Sequence, residues 1–204
     1  MGSLIDEFEN ILWQENHSVC GIDEAGRGPM AGPCVVAGVV FPKGYYHADI
    51  NDSKKLSPKK RDELVSLIKE HALWYKVVVV DVDQIDLHNI HRATQMAMEE
   101  IANSAPESYV LTDAMPLLNS RQPFESIVKG DARSMSIAAA SVLAKTYRDA
   151  LMVELDRMYP EYGFAKHKGY GTKAHREAIL KYGRTKHHRK TFKFKDEDQI
   201  SLDI

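Results

Sequence analysis

The chain is organised around residues 19–41, which have the sequence VCGIDEAGRGPMAGPCVVAGVVF. Two apolar runs rich in β-branched side chains, residues 19–23 and 34–41, flank a turn that is rich in glycine and proline. Runs of this kind on either side of such a turn predict a β-hairpin. The first run ends on Asp23 and Glu24, directly before the glycines. The stretch therefore predicts part of a sheet together with a strand end that carries two carboxylates.

Outside this hairpin, the apolar pattern alternates between helical and strand periods. Helices are predicted at residues 58–71, 89–103, 134–159 and 173–182, a buried strand at 74–80, and a short strand at 109–112. Ser57 is a candidate N-cap for the first helix. Elements mixed in this way predict an α/β fold, in which helices flank a mixed sheet and a helical segment lies near the C-terminus. No repeat or linker divides the sequence, so we expect one domain over residues 1–204.

Length and composition restrict the class of protein. With 204 residues and 44% hydrophobic content, the chain can bury an autonomous core, which excludes intrinsic disorder. Its two cysteines, Cys20 and Cys34, do not make a disulfide scaffold and suit a reducing compartment. No apolar run approaches the roughly 18 residues that span a bilayer, and the N-terminus lacks the apolar segment of a signal peptide. We therefore expect a cytoplasmic, monomeric protein without a membrane partner.

Basic side chains are concentrated near the C-terminus, although the net charge is only −2. Residues 165–195 carry eleven lysines and arginines and one acid, Glu177. Such a stretch favours a polyanionic partner, because neutralising phosphates releases counterions. A charged run can also be a solvated face. Aromatic side chains that could help to bind sugar and phosphate are interleaved with it, at Tyr162, Phe164, Tyr170, Phe192 and Phe194.

Four acids stand at predicted strand ends or at the start of a helix. Asp23 and Glu24 end the first strand, Asp113 ends another, and Asp131 begins the long helix. Strand ends on one edge of a sheet converge, and crowded carboxylates repel unless a cation binds them. Oxygen ligands alone favour Mg²⁺ or Mn²⁺, and such a cluster suits two metal ions about 4 Å apart that hydrolyse a phosphodiester. Taken singly, each acid could instead be a solvated strand end, and Asp131 could be an N-cap.

Glu24 differs from the other three acids because it directly follows Asp23. Adjacent residues of a strand point to opposite faces of the sheet. The two side chains therefore cannot both reach one metal unless the strand bends. Glu24 is expected to offer its backbone carbonyl or to reach a second ion.

The loop at residues 24–33, EAGRGPMAGP, invites comparison with a dinucleotide-binding turn. That fingerprint is Gly-x-Gly-x-x-Gly at the start of a helix. Here the third glycine, Gly32, comes one residue late, and Pro29 and Pro33 interrupt a helix. We interpret the loop as a rigid turn whose backbone approaches a ligand closely, with Arg27 as a cation beside the acids. A plain structural turn would not need that cation.

These residues belong to a series of ordered motifs that resembles the type 2 ribonucleases H, specifically the bacterial ribonuclease HII family. Six blocks extend over most of the chain: GIDEAGRG at 21–28, NDSKKLS at 51–57, ATQMAM at 93–98, TDA at 112–114, VKGD at 128–131 through AK at 144–145, and HKGYGT at 167–172. The related ribonuclease HIII usually carries an extra N-terminal domain that binds substrate. Eighteen residues before the first strand favour ribonuclease HII.

The resemblance implies a ribonuclease H-like fold and an endonuclease that cuts RNA in RNA–DNA hybrids. It also implies cutting 5′ of single ribonucleotides in duplex DNA, by a two-metal-ion mechanism with Mn²⁺ or Mg²⁺ that leaves 3′-hydroxyl and 5′-phosphate ends. Such cutting would serve the removal of ribonucleotides from DNA. The family's metal-binding and catalytic carboxylates match Asp23, Glu24, Asp113 and Asp131. Its loop that senses the ribose 2′-hydroxyl matches Gly26, Arg27 and Gly28, and its tyrosine that stacks on the junction sugar matches Tyr170.

Alternatives remain open for three of these features. A hybrid-binding protein without catalysis would also keep the basic stretch, although it would lose an acid. Tyr170 could be a half-buried core residue, although its flanking glycines suggest an exposed turn. The C-terminus contains Gln199, Leu202 and Ile204, a Gln-x-x-Leu-x-Ile pattern that resembles peptides bound by the bacterial sliding clamp. We expect residues 196–204 to be a flexible tail, either frayed or ordered on the clamp.

Overall fold

The computed structural model describes residues 4–50 and 57–194. Its centre is a five-stranded sheet in the order β3-β2-β1-β4-β5. The strands are β1 (Val19–Ala25), β2 (Cys34–Val40), β3 (Trp74–Val80), β4 (Tyr109–Asp113) and β5 (Phe124–Ile127). Strands β1, β2 and β3 pair antiparallel, whereas β4 lies parallel to β1, and β5 parallel to β4. The mixed sheet and the β1–β2 hairpin are therefore confirmed.

Seven α-helices accompany the sheet in the described residues. They are α1 (Glu9–Gln14), α2 (Pro58–His71), α3 (Val82–His88), α4 (Ile90–Ser104), α5 (Met135–Met158), α6 (Phe164–His167) and α7 (Lys173–Tyr182). The Ser57 hydroxyl accepts a hydrogen bond from the Lys60 N–H, so the predicted cap of α2 is present. None of these helices is long and apolar enough to cross a membrane.

Two apolar layers enclose the sheet. On one face, Met98 and Ile101 of α4 pack with Ile22 and Val36. On the other face, the small side chains of α5 and the leucines of α2 pack with Val35. The approach of α5 to β1 is close, because a Cβ on Gly21 would overlap the backbone of Ser136. This contact places the start of α5 directly beside β1, the strand that carries Asp23.

The structure corrects two predicted details and contains four elements that were not predicted. The strand at 74–80 lies at the edge of the sheet, and Val79 is 44% exposed, so it is not a buried strand. The long helix begins at Met135 and is capped by Ser134, whereas Asp131 lies in a preceding 3₁₀ turn (Gly130–Ala132) and is not its N-cap. Helices α1, α3 and α6 and strand β5 were not predicted from the sequence.

Candidate active site

Three carboxylates meet at one edge of the sheet. Asp23 lies in β1 and Asp113 ends β4, its parallel neighbour, with Ile22 paired to Thr112 one residue earlier. Asp131 comes from the 3₁₀ turn that follows β5. One carboxylate oxygen from each of the three acids lies within 4.8 Å of the other two. The parallel strands therefore produce the convergence that the sequence suggests.

Backbone hydrogen bonds orient two of these carboxylates. The Gly130 N–H donates to Asp113 Oδ1 at 2.7 Å, and the Glu24 N–H donates to Asp23 Oδ1 at 2.7 Å. Lys129, just before Gly130, adopts a left-handed conformation with φ 57°, which a lysine rarely does. This turn directs the Gly130 N–H at Asp113 and brings Asp131 next to it.

The electrostatics of the cluster favour a bound cation. Burial, together with the carboxylates of Glu24 and Asp113, holds the pKa of Asp23 well above its usual range, although a hydrogen bond from Ser141 opposes this. Three ionised carboxylates in this space would repel one another. The donor set consists of hard oxygens, which fits a divalent cation such as Mg²⁺ or Mn²⁺.

Glu24 does not join this cluster by its side chain. It remains in the regular β1 ladder opposite Val36, so it points away from the face of Asp23. Its Oε1 lies 3.4 Å from the Arg27 guanidinium. Of the four acids that the sequence singles out, the structure thus brings three together and places Glu24 beside the glycine loop.

The glycine loop is held by two buried arginines that the sequence analysis did not identify. Arg189 donates to the carbonyls of Gly26 at 2.6 Å and of Arg27 at 2.9 Å, and also to Gly32. Arg148, on α5, donates to Pro33 and to Lys168. Both guanidiniums are fully buried, and burial lowers the pKa of Arg189 to about 10, which leaves it charged at neutral pH.

The fit around Gly26 explains why glycine is needed there. Its φ is +100°, and a Cβ would overlap the Arg148 side chain. The sequence contains one weak signal for each arginine. Arg148 is a cation inside a predicted helix that is rich in small residues, and Arg189 is one of many basic residues near the C-terminus. Neither signal distinguishes a buried arginine from an exposed one.

Tyr170 lies next to this loop. It is 49% exposed, in the turn between α6 and α7, so it is not a core residue. A Cβ on Gly28 would lie 3.5 Å from Tyr170 Cε1. The Met30 N–H donates to the Gly169 carbonyl at 2.8 Å and attaches the turn to the loop. The structure therefore brings Gly28 and Tyr170 together.

The basic stretch has two parts in the structure. Most of its lysines and arginines are exposed, whereas Arg189 belongs to the interior. Of the interleaved aromatic residues, Tyr162 and Phe164 are buried and stack on each other, so they are unavailable to a nucleic acid. The aromatic pattern therefore overstated the number of candidate nucleic-acid contacts.

Comparison with known proteins identifies the family. The sequence model described as Ribonuclease HII matches residues 20–195. The chain belongs to the ribonuclease HII family. A ribonuclease HII of Acholeplasma laidlawii is 52% identical over 188 residues, which cover 91% of this chain and 92% of that protein. The chain is therefore a ribonuclease H, and the family acts on the RNA of RNA–DNA hybrids with divalent metal ions.

Solved structures support the fold assignment. The ribonuclease H2 of Pyrococcus horikoshii superposes with a TM-score of 0.75 at 25% identity, over 91% of this chain and 98% of that one. A PCNA:RNase HII complex from Archaeoglobus fulgidus gives a TM-score of 0.73 at 26% identity, over 87% and 96% of the two chains. The predicted ribonuclease H-like α/β fold is confirmed. The second motif block, except Ser57, and the C-terminal Gln-x-x-Leu-x-Ile pattern lie outside the described residues.

Proposed function

We propose that this ribonuclease HII cuts duplex DNA 5′ of a single embedded ribonucleotide as well as the RNA strand of longer hybrids. The products would carry 3′-hydroxyl and 5′-phosphate ends, and the activity would serve to remove ribonucleotides from DNA. The observation that carries the proposal is the close approach of Tyr170 to Gly28, which lies on the loop that leads directly out of the strand bearing Asp23. A Cβ on Gly28 would lie 3.5 Å from Tyr170 Cε1. The residues that would contact the sugar are thus connected directly to the strand that carries one of the proposed metal ligands, Asp23.

In this proposal, the acids hold the metal and the loop selects the substrate. Asp23, Asp113 and Asp131 would bind divalent ions, with Glu24 contributing its backbone carbonyl or binding a second ion. Two such ions supply activation of water and stabilisation of the leaving oxygen. The narrow separation of the three carboxylates supports this assignment.

Substrate selection would rest on the loop and on Tyr170. Gly26, Arg27 and Gly28 would contact the ribose 2′-hydroxyl, and Tyr170 would stack on the adjacent sugar. Because Arg189 already bonds the carbonyls of Gly26 and Arg27, these peptide planes are fixed before a substrate binds. The exposed basic residues near the C-terminus would supply sequence-independent affinity for phosphates.

Single-turnover cleavage tests this function. The substrates are a duplex with one ribonucleotide, the all-deoxy duplex and a uniform hybrid, each in Mg²⁺ and in Mn²⁺. We expect the single-ribonucleotide duplex to be cut at one position on its 5′ side, and the all-deoxy duplex to bind with similar affinity but to remain intact. Cleavage of the hybrid alone would overturn the proposal, as would cleavage of the all-deoxy duplex.

We further propose that Gln199, Leu202 and Ile204 bind the sliding clamp. The Archaeoglobus structure contains a ribonuclease HII together with PCNA, which supports a partner of this kind. Deleting residues 199–204 should abolish clamp binding in calorimetry and leave cleavage of a short duplex unchanged. A fall of several degrees in the melting temperature would instead make the segment structural. A cytoplasmic location, a monomeric state and one domain over residues 1–204 stay predictions.

A further inference from the structure

Three histidines lie behind the Tyr170 turn and take no part in the chemistry proposed above. His175 and His188 are fully buried, and His167 is half-buried. The rings of His167 and His175 stack with their centroids 4.5 Å apart. His175 Nε2 lies 3.1 Å from His188 Nε2. Buried imidazoles in direct hydrogen-bond contact need complementary protonation, which restricts how each can be oriented.

The hydrogen-bond partners of His175 and His188 determine which nitrogen of each ring carries the proton. The Thr185 N–H donates to His188 Nδ1 at 2.9 Å, so the proton of a neutral His188 lies on Nε2. That Nε2–H then donates to His175 Nε2, which places the proton of His175 on Nδ1. His175 Nδ1 lies 3.0 Å from the Tyr170 carbonyl and donates to it. A series of hydrogen bonds, each donated in the same direction, therefore runs from the Thr185 N–H through the two neutral imidazoles to the Tyr170 carbonyl.

The segment at residues 185–189, where this series of hydrogen bonds begins, also holds the glycine loop. The His187 carbonyl accepts from the Gly32 N–H at 2.8 Å, and His188 forms an isolated β-bridge with Ala31. The next residue, Arg189, bonds the carbonyls of Gly26 and Arg27. One short segment thus fixes the loop through Arg189 and the Tyr170 turn through His188.

We propose that His175 is a positioning residue that, together with His188, sets the place of the Tyr170 ring relative to Gly28 and so the rate of cleavage at the RNA–DNA junction. The inference rests on the proposed function, because it gives Tyr170 the role stated there. His175 does not touch the substrate. It acts through the Tyr170 carbonyl, and its loss leaves that carbonyl and the His188 Nε2–H without this partner.

Three variants separate positioning from packing. His175→Phe keeps a ring in the same space and removes both hydrogen bonds, whereas His175→Asn keeps a donor close to the position of Nδ1. His71→Phe is the matched control, since the His71 ring at the end of α2 packs on Tyr45 and its Nδ1 also lies 3.0 Å from a backbone carbonyl, that of Leu67. We expect His175→Phe to lower the single-turnover rate constant about tenfold with less than a twofold change in duplex affinity. His175→Asn should recover to within threefold of wild type, and His71→Phe should match wild type.

A double-mutant cycle with Tyr170→Ala provides the decisive measurement. If His175 acts through Tyr170, His175→Phe should cost less than twofold once Tyr170→Ala is present, because coupled residues are not additive. Equal losses in both backgrounds would show a merely structural role and overturn the inference. A wild-type rate for His175→Phe would do the same. Should His175→Phe fail to fold, His188→Asn replaces it in the cycle, since it retains an acceptor for Thr185 and breaks the hydrogen bond to His175.

The cycle is measured on both the single-ribonucleotide duplex and the uniform hybrid. If the wild-type enzyme cuts only the hybrid, the proposed function fails, and the cycle on the hybrid still decides whether His175 is coupled to Tyr170. If the wild-type enzyme cuts both and the cycle is additive on both, the function stands and the inference fails.

Discussion

The acid cluster and the Tyr170 turn are connected by the glycine loop but are held in different ways. Asp23 and Asp113 take their places from the register of two parallel strands. Gly28 and Tyr170 meet because buried side chains from distant segments, above all Arg148 and Arg189, bond the backbone that carries them. Asp23 and Asp113 are thus positioned by secondary structure, and the residues proposed to sense the sugar by side chains of the interior. Mutations should therefore separate two parts of the site: the acid cluster, which would carry out the chemistry, and the glycine loop with the Tyr170 turn, which would select the substrate.

The largest effect is expected at the acids. Asp113→Asn should lower the single-turnover rate constant at least 1,000-fold, or about 4 kcal/mol of barrier, because the neutral amide cannot help to hold a divalent ion. Duplex affinity should change little, since phosphate contacts dominate it. The matched control is Asp83→Asn, at an exposed acid of α3. Activity of Asp113→Asn within tenfold of wild type would remove this residue from the metal site.

The next effect falls on the loop and should be one of stability. Arg189→Ala leaves the carbonyls of Gly26, Arg27 and Gly32 without their buried donor, and we expect a loss of about 3 kcal/mol in the free energy of unfolding. Denaturation by urea measures it, with the exposed Arg176→Ala as control. Mn²⁺ affinity of the folded variant, measured by calorimetry, should stay within threefold of wild type. A large loss of Mn²⁺ binding would contradict the separation of the two parts.

The contributions of His175 and of Asp23 to the free energy of unfolding should change in opposite directions as the pH falls. Burial lowers the pKa of His175 to about 4, with His167 and Arg184 contributing, so its neutral form stabilises the fold above about pH 6.5. As the pH falls from 6.5 to 4, the unfolded chain binds the proton first and up to about 3 kcal/mol is lost. Asp23, with its raised pKa, favours the folded state as the pH falls. Urea unfolding of wild type and His175→Asn at pH 7 and pH 4.5 isolates the histidine, and an unchanged difference between them would refute its part.

The smallest effect is expected at the tyrosine. Tyr170→Ala should slow cleavage at a single ribonucleotide about 30-fold, or about 2 kcal/mol, and weaken duplex binding less than threefold. The exposed Tyr147→Ala on α5 serves as control. Equal losses in rate and in affinity would make Tyr170 a general contact with the duplex and not a sensor of the junction.

The difference between the two parts also explains what the sequence could predict. A strand end is visible as an apolar run that stops at an acid, so Asp23 and Asp113 could be placed on one edge before the structure was known. Partners distant in the chain leave no such local pattern. Arg148 and Arg189 resemble other cations of the sequence, and only the folded chain shows that they are buried.

Local patterns also fail where burial depends on the rest of the sheet. The valines of β3 suggest an interior strand, yet no strand covers its outer edge in the described sheet, and Val79 faces solvent. Strand β5 has only four residues, too few for a clear alternation. The 3₁₀ turn that carries Asp131 depends on the left-handed backbone at Lys129, a residue type that gives no sign of this conformation.

The close approach of α5 to β1 at Gly21 sets the dimensions of the acid site. Because a Cβ at residue 21 would overlap the Ser136 backbone, a residue with a side chain there could not keep α5 this close to β1. Asp131 precedes that contact in the chain and Asp23 lies two residues beyond Gly21, so the separation of their carboxylates depends on the spacing between helix and sheet as well as on the turn at Lys129. The substitution Gly21→Ala would therefore push α5 away from β1 and increase the distance between the Asp23 and Asp131 carboxylates, although residue 21 contacts neither of them.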